Sequence, residues 1–357
     1  IAAGELDPTE AWVVVGIGKA APRMAAAAVD VLGESDAIVV SDHTEEAWPS
    51  AIVGDHPIPG DRSFRAGASV TRFIDRAGHR PVLFLISGGG SALCEVPVDG
   101  VGFEDIEAMN ATLMRSGLDI SQMNAIRASA SAVKAGGLAE HVAGRATTLV
   151  LSDVPGAGAE YVASGPSIAS AIGSDAITVI EGHDLGAVLP SAVVAAANTW
   201  TPRRRRERDL VRVVASPAVA ADAAATFLRE RGFDAVVGSS ILGELAAEVD
   251  ATIRSAAAIV VRAGEAHLRL TGDGLGGRNQ HAALVAASMI QGSEGVFGAF
   301  GTDGVDGPTD AAGAIVDGQT WERMLVAGLE PGDRVTSFDS HRALDGSGDL
   351  VRTGATG

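Results

Sequence analysis

The chain is poor in several residue types, and each scarcity excludes something. One of its 357 residues is a cysteine, Cys94, so no internal disulfide can form and the composition fits a reducing, cytoplasmic setting. Of 27 basic residues only Lys19 and Lys134 are lysines; the other 25 are arginines. Aromatic residues make up 4%. No apolar run approaches the ~18 residues of a membrane span, and no secretory leader precedes the first strand. The chain opens at Ile1 rather than Met, so sequence ahead of it is expected to be missing. The formal net charge of -18 argues against nucleic acid as a partner, because non-specific binding rests on a positive surface. Two sources of the acidic, lysine-poor composition stay open: a high-salt cytoplasm, where excess carboxylates keep proteins soluble, or GC-rich codon usage.

What is abundant is small and apolar: 46% hydrophobic residues and 45 glycines. That suits an α/β protein with many glycine-rich turns, and the length suffices for two domains. Apolar runs alternate with helical stretches. Strands are predicted at 11–15, 37–40, 51–53, 81–86, 147–151, 210–214 and 235–237. Helices are predicted at 19–32, 61–77, 103–116, 121–133, 218–231 and 242–257. This alternation indicates βαβ units and a parallel sheet. From Ala258 the pattern changes. Segments 259–263 and 266–271 predict a hairpin about Gly264-Glu265, followed by a glycine-rich loop, a helix over 279–290 and a strand over 295–301. The domain boundary is placed near 255, giving domains 1–255 and 256–357.

Six constellations could carry chemistry. Gly16-Ile17-Gly18-Lys19-Ala20-Ala21 fits the G-x-G-x-x-A turn of a dinucleotide fold, with Asp42 about 20 residues on. Lys19 at a helix start adds a cation to free N–H groups and so points to an anion. Ser87-Gly88-Gly89-Gly90-Ser91 follows the strongest strand and can aim several N–H groups at one phosphate or carboxylate. Arg127 and Lys134 lie seven apart and would share a face of one helix. In a chain that uses arginine nearly everywhere, both lysines stand at glycine-flanked turns, where a compact ammonium reaches what a guanidinium cannot. Asp153 ends a strand, where it could take a proton from a hydroxyl or hold a metal. Gly272–Gln280 carries Arg278 at a helix start, able to clamp a carboxylate or phosphoryl group, with Asn279 beside it. Asp303, Asp306 and Asp310 fall within eight residues of a glycine-rich loop, a pattern that fits Mg²⁺ accompanying a nucleotide or plain turn chemistry. The run Arg203–Arg206 reads as a solvated loop, with a phosphate or subunit contact as the alternative. Among the scattered histidines, His56 in Gly54-Asp55-His56-Pro57 stands out.

Taken together these segments resemble the glycerate 2-kinase family, whose older descriptions often read hydroxypyruvate reductase and whose C-terminal unit is the MOFRL domain. The matching stretches are 15–20, 54–57, 87–93 with Pro97, 134–139, 152–155 with 163–167, 276–280 and 301–313. The resemblance implies a Rossmann-like, doubly wound, mostly parallel sheet domain, a smaller α/β domain, and an active site in the cleft between them. It implies ATP and Mg²⁺ as cofactors, glycerate as the small-molecule substrate, and a homodimer as one option. Lys19 and Arg278 match the positions most associated with the family's catalysis. Gly18, Ser87, Gly88, Gly89, Gly90, Ser91, Lys134 and Asn279 are expected to hold substrate or phosphate, Asp153 to act in catalysis, and Asp303 and Asp306 to hold metal. There are departures. Arg127-Ala128-Ser129-Ala130-Ser131 stands where the family has Arg-Lys-His-Leu-Ser, His281 replaces an acid, and 353–357 looks like a shortened terminal Thr-Gly-Pro-Thr-Gly. Two rivals remain at this level. A nicotinamide-dependent hydroxypyruvate reductase explains Gly16–Ala21 and Asp42. A sugar-phosphate-binding regulator would bind and turn nothing over.

Overall fold

The computed structural model describes residues 6–154, 158–204, 206–354 and 356. The chain falls into two compact units, Ile1–Ser216 and Pro217–Gly357.

The first unit is built on β1 (Val13–Ile17), β2 (Asp36–Ser41), β3 (Ile52–Val53), β4 (Val82–Ile86), β5 (Ala146–Leu151) and β6 (Leu210–Ala215). They form one sheet in the order β3-β2-β1-β4-β5-β6, every pair parallel. β1 and β4 are buried along their whole length. That is why both read as unbroken apolar runs rather than as an alternating pattern. Each buried Val or Ile there contributes about 1.5–3 kcal/mol.

Helix α1 (Ala21–Leu32) starts with Pro22 in its first turn, where no N–H is needed, and ends at left-handed Gly33. Its buried Ala21, Ala25, Ala28 and Leu32 form a stripe against β1 and β2. α2 (Asp61–Asp75) buries Phe64, Val70 and Ile74. α3 (Gly90–Leu93) is a single turn, followed by α4 (Phe103–Leu113), α5 (Ile120–Ser129), α6 (Gly137–Glu140), α7 (Ala176–Gly182) and α8 (Ser191–Thr199). Ile106 and Met109 of α4, Ile126 of α5, Ile180 of α7 and Val193 of α8 make a second core beside the sheet.

The second unit contains α9 (Pro217–Arg229), β7 (Ala235–Val237), α10 (Leu245–Ile253), β8 (Ile259–Val261), α11 (Arg278–Met289), β9 (Val296–Phe300), β10 (Gly313–Asp317), α12 (Thr320–Val326), α13 (Pro331–Thr336), α14 (Ser340–Ser347) and β11 (Leu350–Val351). β11, β10 and β9 form an antiparallel sheet, and β7 pairs with β8 in parallel. α11 packs on β9 and β10, around a core of Leu284, Val316, Met324 and Leu344. Among the described residues no helix is long and apolar enough to cross a membrane.

The compact units divide after Ser216, where α9 packs on β7 and β8, and α10 on α11. Two expectations need correction. The hairpin about Gly264 is not formed. β8 pairs with β7, and the following chain makes single parallel bridges, Ile241 with Gly264 and Glu244 with His267. The helix predicted over 121–133 stops at Ser129. There the chain turns to pair Ser131 with Pro97, and Ala135 takes a positive φ of 50°.

Candidate active site

In an open parallel sheet, ligands bind outside the carboxyl ends of the strands, at the point where strand order reverses. Here that point lies between β1 and β4. Two glycine-rich turns leave it, Gly16–Ala20 after β1 and Ser87–Ser91 after β4, and they are sewn together. Lys19 N–H donates to the Gly88 carbonyl at 2.9 Å, and Ala20 N–H to Ser87 Oγ at 3.1 Å. Gly18 has φ +130°, and a Cβ there would stand 2.2 Å from Ser87 Oγ, so only glycine permits this closeness.

The Lys19 side chain is half exposed, with its stem lying along Gly89; a Cβ on that glycine would meet Lys19 Cγ at 3.1 Å. Its ammonium is 4.0 Å from Asp42 Oδ2. Burial would raise the Asp42 carboxyl, but the His43 hydrogen bond at 2.6 Å, the His43 charge and Lys19 outweigh it and hold the group below its ordinary value. The His56 imidazole is pushed down by burial first and by the Lys19 charge second, against the pull of Asp42. His56 therefore lies within electrostatic reach of Lys19 and Asp42. The exposed Asp153 carboxylate leans over the nest from the end of β5; a Cβ on Gly88 would stand 2.0 Å from its Oδ2. Pro155, in the same sequence stretch, lies outside the described residues.

Lys19, Gly88, Gly89, Gly90 and Asp153 thus come together, while two expected ligands do not join them. Ser87 is buried at 1% exposure and its Oγ accepts from Ala20 N–H, so it stitches the two turns together from beneath the surface. Lys134 is 2% exposed and forms an ion pair with buried Glu95, which also accepts from Ser131 Oγ. It faces no open anion site, and with α5 ending at Ser129 it shares no helix face with Arg127. Arg127 instead donates to Asn110 Oδ1 at 2.8 Å. The Cys94 thiol beside Glu95 is pushed up to about 12 by burial and by the Glu95 charge, against Lys134, and stays protonated. In the arginine run Arg204 and Arg208 are exposed, as in a solvated loop, while Arg203 and Arg206 are partly buried. Arg203 donates to the carbonyl of Lys134 and so straps that turn down, and Arg206 and Arg208 donate to those of Val142 and Ala143.

Sequence reasoning gave no role to Asn124 and Ser164. Ala163, Ser164 and Gly165 all have positive φ, between 53° and 59°. For the two non-glycine residues this costs of order 1–3 kcal/mol each, strain that gathers at functional sites. Ala135 N–H and Gly136 N–H hold the Ser164 and Gly165 carbonyls at 2.9 and 2.7 Å. Ser164 Oγ meets Ser91 Oγ at 2.9 Å and Asn124 Oδ1 at 3.3 Å. The Ser164-Gly165 pair was the one available signal.

In the second unit the glycine loop 272–277 delivers Arg278 as the first residue of α11. Its guanidinium is 46% exposed and pairs with Glu265 Oε1 at 2.5 Å. Asp306 is 3% exposed. Its Oδ1 accepts from Asn279 N–H at 3.0 Å and Asn279 Nδ2 at 2.9 Å, and its Oδ2 from Gln280 N–H at 2.7 Å. This buried carboxylate caps the positive end of α11 in place of the expected metal-binding role, and it engages one N–H of the Asn279 amide. Asp310 pairs with Arg352 at 2.8 Å, while the exposed Asp303 carboxylate accepts, among the described residues, from Val305 N–H at 3.2 Å. Among the described residues no three His, Cys, Asp or Glu side chains converge as a metal cluster.

The domain family described as a domain of unknown function, DUF4147, matches residues 2–198, and the MOFRL family matches 258–357. The D-glycerate 2-kinase of Thermotoga maritima is 35% identical over 97% of this chain and 88% of its own length. The chain belongs to the glycerate 2-kinase family. A glycerate kinase crystal structure from Thermotoga maritima shares the fold at a TM-score of 0.85 and 34% identity, covering 99% of this chain and 89% of that one. Names within the family diverge: an Agrobacterium vitis relative, 37% identical over 96% of both chains, carries a hydroxypyruvate reductase name. The MOFRL match begins three residues beyond the expected boundary at 255, inside the second compact unit.

Proposed function

We propose that this protein transfers the γ-phosphoryl group of ATP, with Mg²⁺, to the 2-hydroxyl of D-glycerate, giving 2-phosphoglycerate. One observation carries the reading: a half-exposed lysine laid along a glycine turn, with a free carboxylate leaning over the same turn, at the switch point of a parallel sheet. Phosphoryl transfer asks for positioning and charge neutralisation more than for covalent chemistry. Lys19 and the backbone of Gly88–Gly90 supply positive charge to phosphate oxygens. Asp153 takes the proton of the attacking hydroxyl. Arg278 is the second cation, assigned by its place in the family pattern. Mg²⁺ brought with the nucleotide needs only one or two carboxylates, and Asp303 is the aspartate of its loop left uncommitted. The metal would neutralise charge on the transferring phosphate. With a single cysteine and so no internal disulfide, the composition suits a reducing cytoplasm, where we place the reaction.

The test is direct. Incubation with ATP, Mg²⁺ and D-glycerate, followed by ³¹P NMR, is expected to yield the 2-phosphate and ADP. Formation of the 3-phosphate, or NADH oxidation with hydroxypyruvate in place of ADP release, would replace the reading.

A further inference from the structure

The Ser91–Ser164–Asn124 chain has a direction. Asn124 Oδ1 carries no proton, so at 3.3 Å it can only accept, and the hydroxyl proton of Ser164 goes to it. Ser164 has no second proton. With Ser164 donating to Asn124, Ser91 is the donor in the 2.9 Å contact between the two hydroxyls. Asn124 and Ser164 are buried at 3% and 1%, so water does not compete for these bonds, whereas Ser91 is partly exposed. The backbone bonds from Ala135 and Gly136 keep the left-handed turn, and with it Ser164 Oγ, in place.

With its one proton drawn inward, Ser91 has only lone pairs left for a group that reaches its partly exposed side. A phosphate or carboxylate oxygen would meet them with its own. The group that fits is a donor, a substrate hydroxyl. It cannot be the reacting one, because that hydroxyl must lose its proton and a relay ending on a carboxamide oxygen has no base to receive it; Asp153 does. We infer that Ser91 accepts a hydrogen bond from the non-reacting hydroxyl of the acceptor acid, and that Ser164 and Asn124 are positioning residues that set its polarity. This rests on the kinase reading above. It also moves Ser91 from the anion ligands to the determinants of substrate specificity.

The experiment compares wild type and Ser91→Ala with ATP and Mg²⁺, using D-glycerate and D-lactate, which lacks the 3-hydroxyl. For Ser91→Ala the KM for glycerate is expected to rise at least tenfold with the KM for ATP within twofold of wild type, and the preference for glycerate over lactate to shrink by the same factor. Ser164→Ala should give a smaller loss of the same preference, since Ser91 can then reorient. Should that variant unfold, Ser91→Ala alone decides. A raised KM for ATP with the preference intact would assign Ser91 to phosphate and overturn the inference. No turnover of glycerate by wild type would overturn the kinase reading and this inference with it.

Discussion

Lys19 and Lys134 both sit beside glycines, one after Gly18 and one before Gly136, and their surroundings have opposite physics. Lys19 lies half in water along Gly89, with its carboxylate neighbour 4.0 Å away. Lys134 is sealed at 2% exposure against Glu95 at 1%, under a strap from Arg203. An ammonium in water keeps its charge available to a ligand and contributes little to the fold. One stripped of water is held by its partner, and removing either member leaves a bare buried charge. Glycine flanks permit both arrangements, because they set how close the backbone comes and not what fills the space beyond.

The sharpest way to break this contrast is to delete each ammonium. Lys19→Ala should lower kcat by about 10²–10³-fold, the usual cost of removing one charge-stabilising donor. Because the side chain is half exposed, its unfolding free energy should stay within about 0.5 kcal/mol of wild type. Coupled ADP assays and urea titrations check both. A second substitution sharpens the comparison from the other side. Lys134→Met should cost about 3–5 kcal/mol of stability by orphaning the Glu95 carboxylate, and Glu95→Leu in the same chain should recover most of it. If Lys134→Met folds as wild type does but loses activity, the two lysines are alike after all.

The smallest effect extends the contrast to a buried group with no partner. His281 is 6% exposed and stacks on Phe338 with centroids 4.7 Å apart, and its Nδ1 has no hydrogen-bond partner among the described residues. Burial pushes its pKa below the ordinary 6.5. The folded state then binds fewer protons than the unfolded one. Stability is therefore complete above 6.5 and declines as pH falls from there. His281→Phe should flatten that part of the stability profile. A slope unchanged by the substitution would place its origin elsewhere.

Much of the first unit could be read from the chain because its signals are local. β1 and β4 are apolar runs bounded by glycine, and Gly16-x-Gly18 followed by an alanine-rich stretch ending at Gly33 spells a strand-turn-helix. The second unit was read less well. Its strands β7, β8 and β11 are two or three residues long, too short for a period to register, and the segment after Gly264 pairs with residues that local pattern does not reach. In the site, Lys19, Gly88–Gly90 and Asp153 were legible because each ends a strand whose place in a parallel sheet is set by alternation. Asp306 and Lys134 were misread because the residues that claim them, Gln280 and Glu95, are 26 and 39 positions away.

The sequence by itself determined the parallel first sheet, the glycine turns at the ends of β1 and β4, and the presence of a cation there, since these follow from burial patterns and from the φ values that only glycine takes without strain. Tertiary structure alone decided which charged and polar groups remain available. Whether a carboxylate caps α11, an ammonium is neutralised or a serine hydroxyl points inward depends on partners brought together by packing across tens of residues, and hydrogen bonds and ion pairs act only over the few ångströms that packing sets.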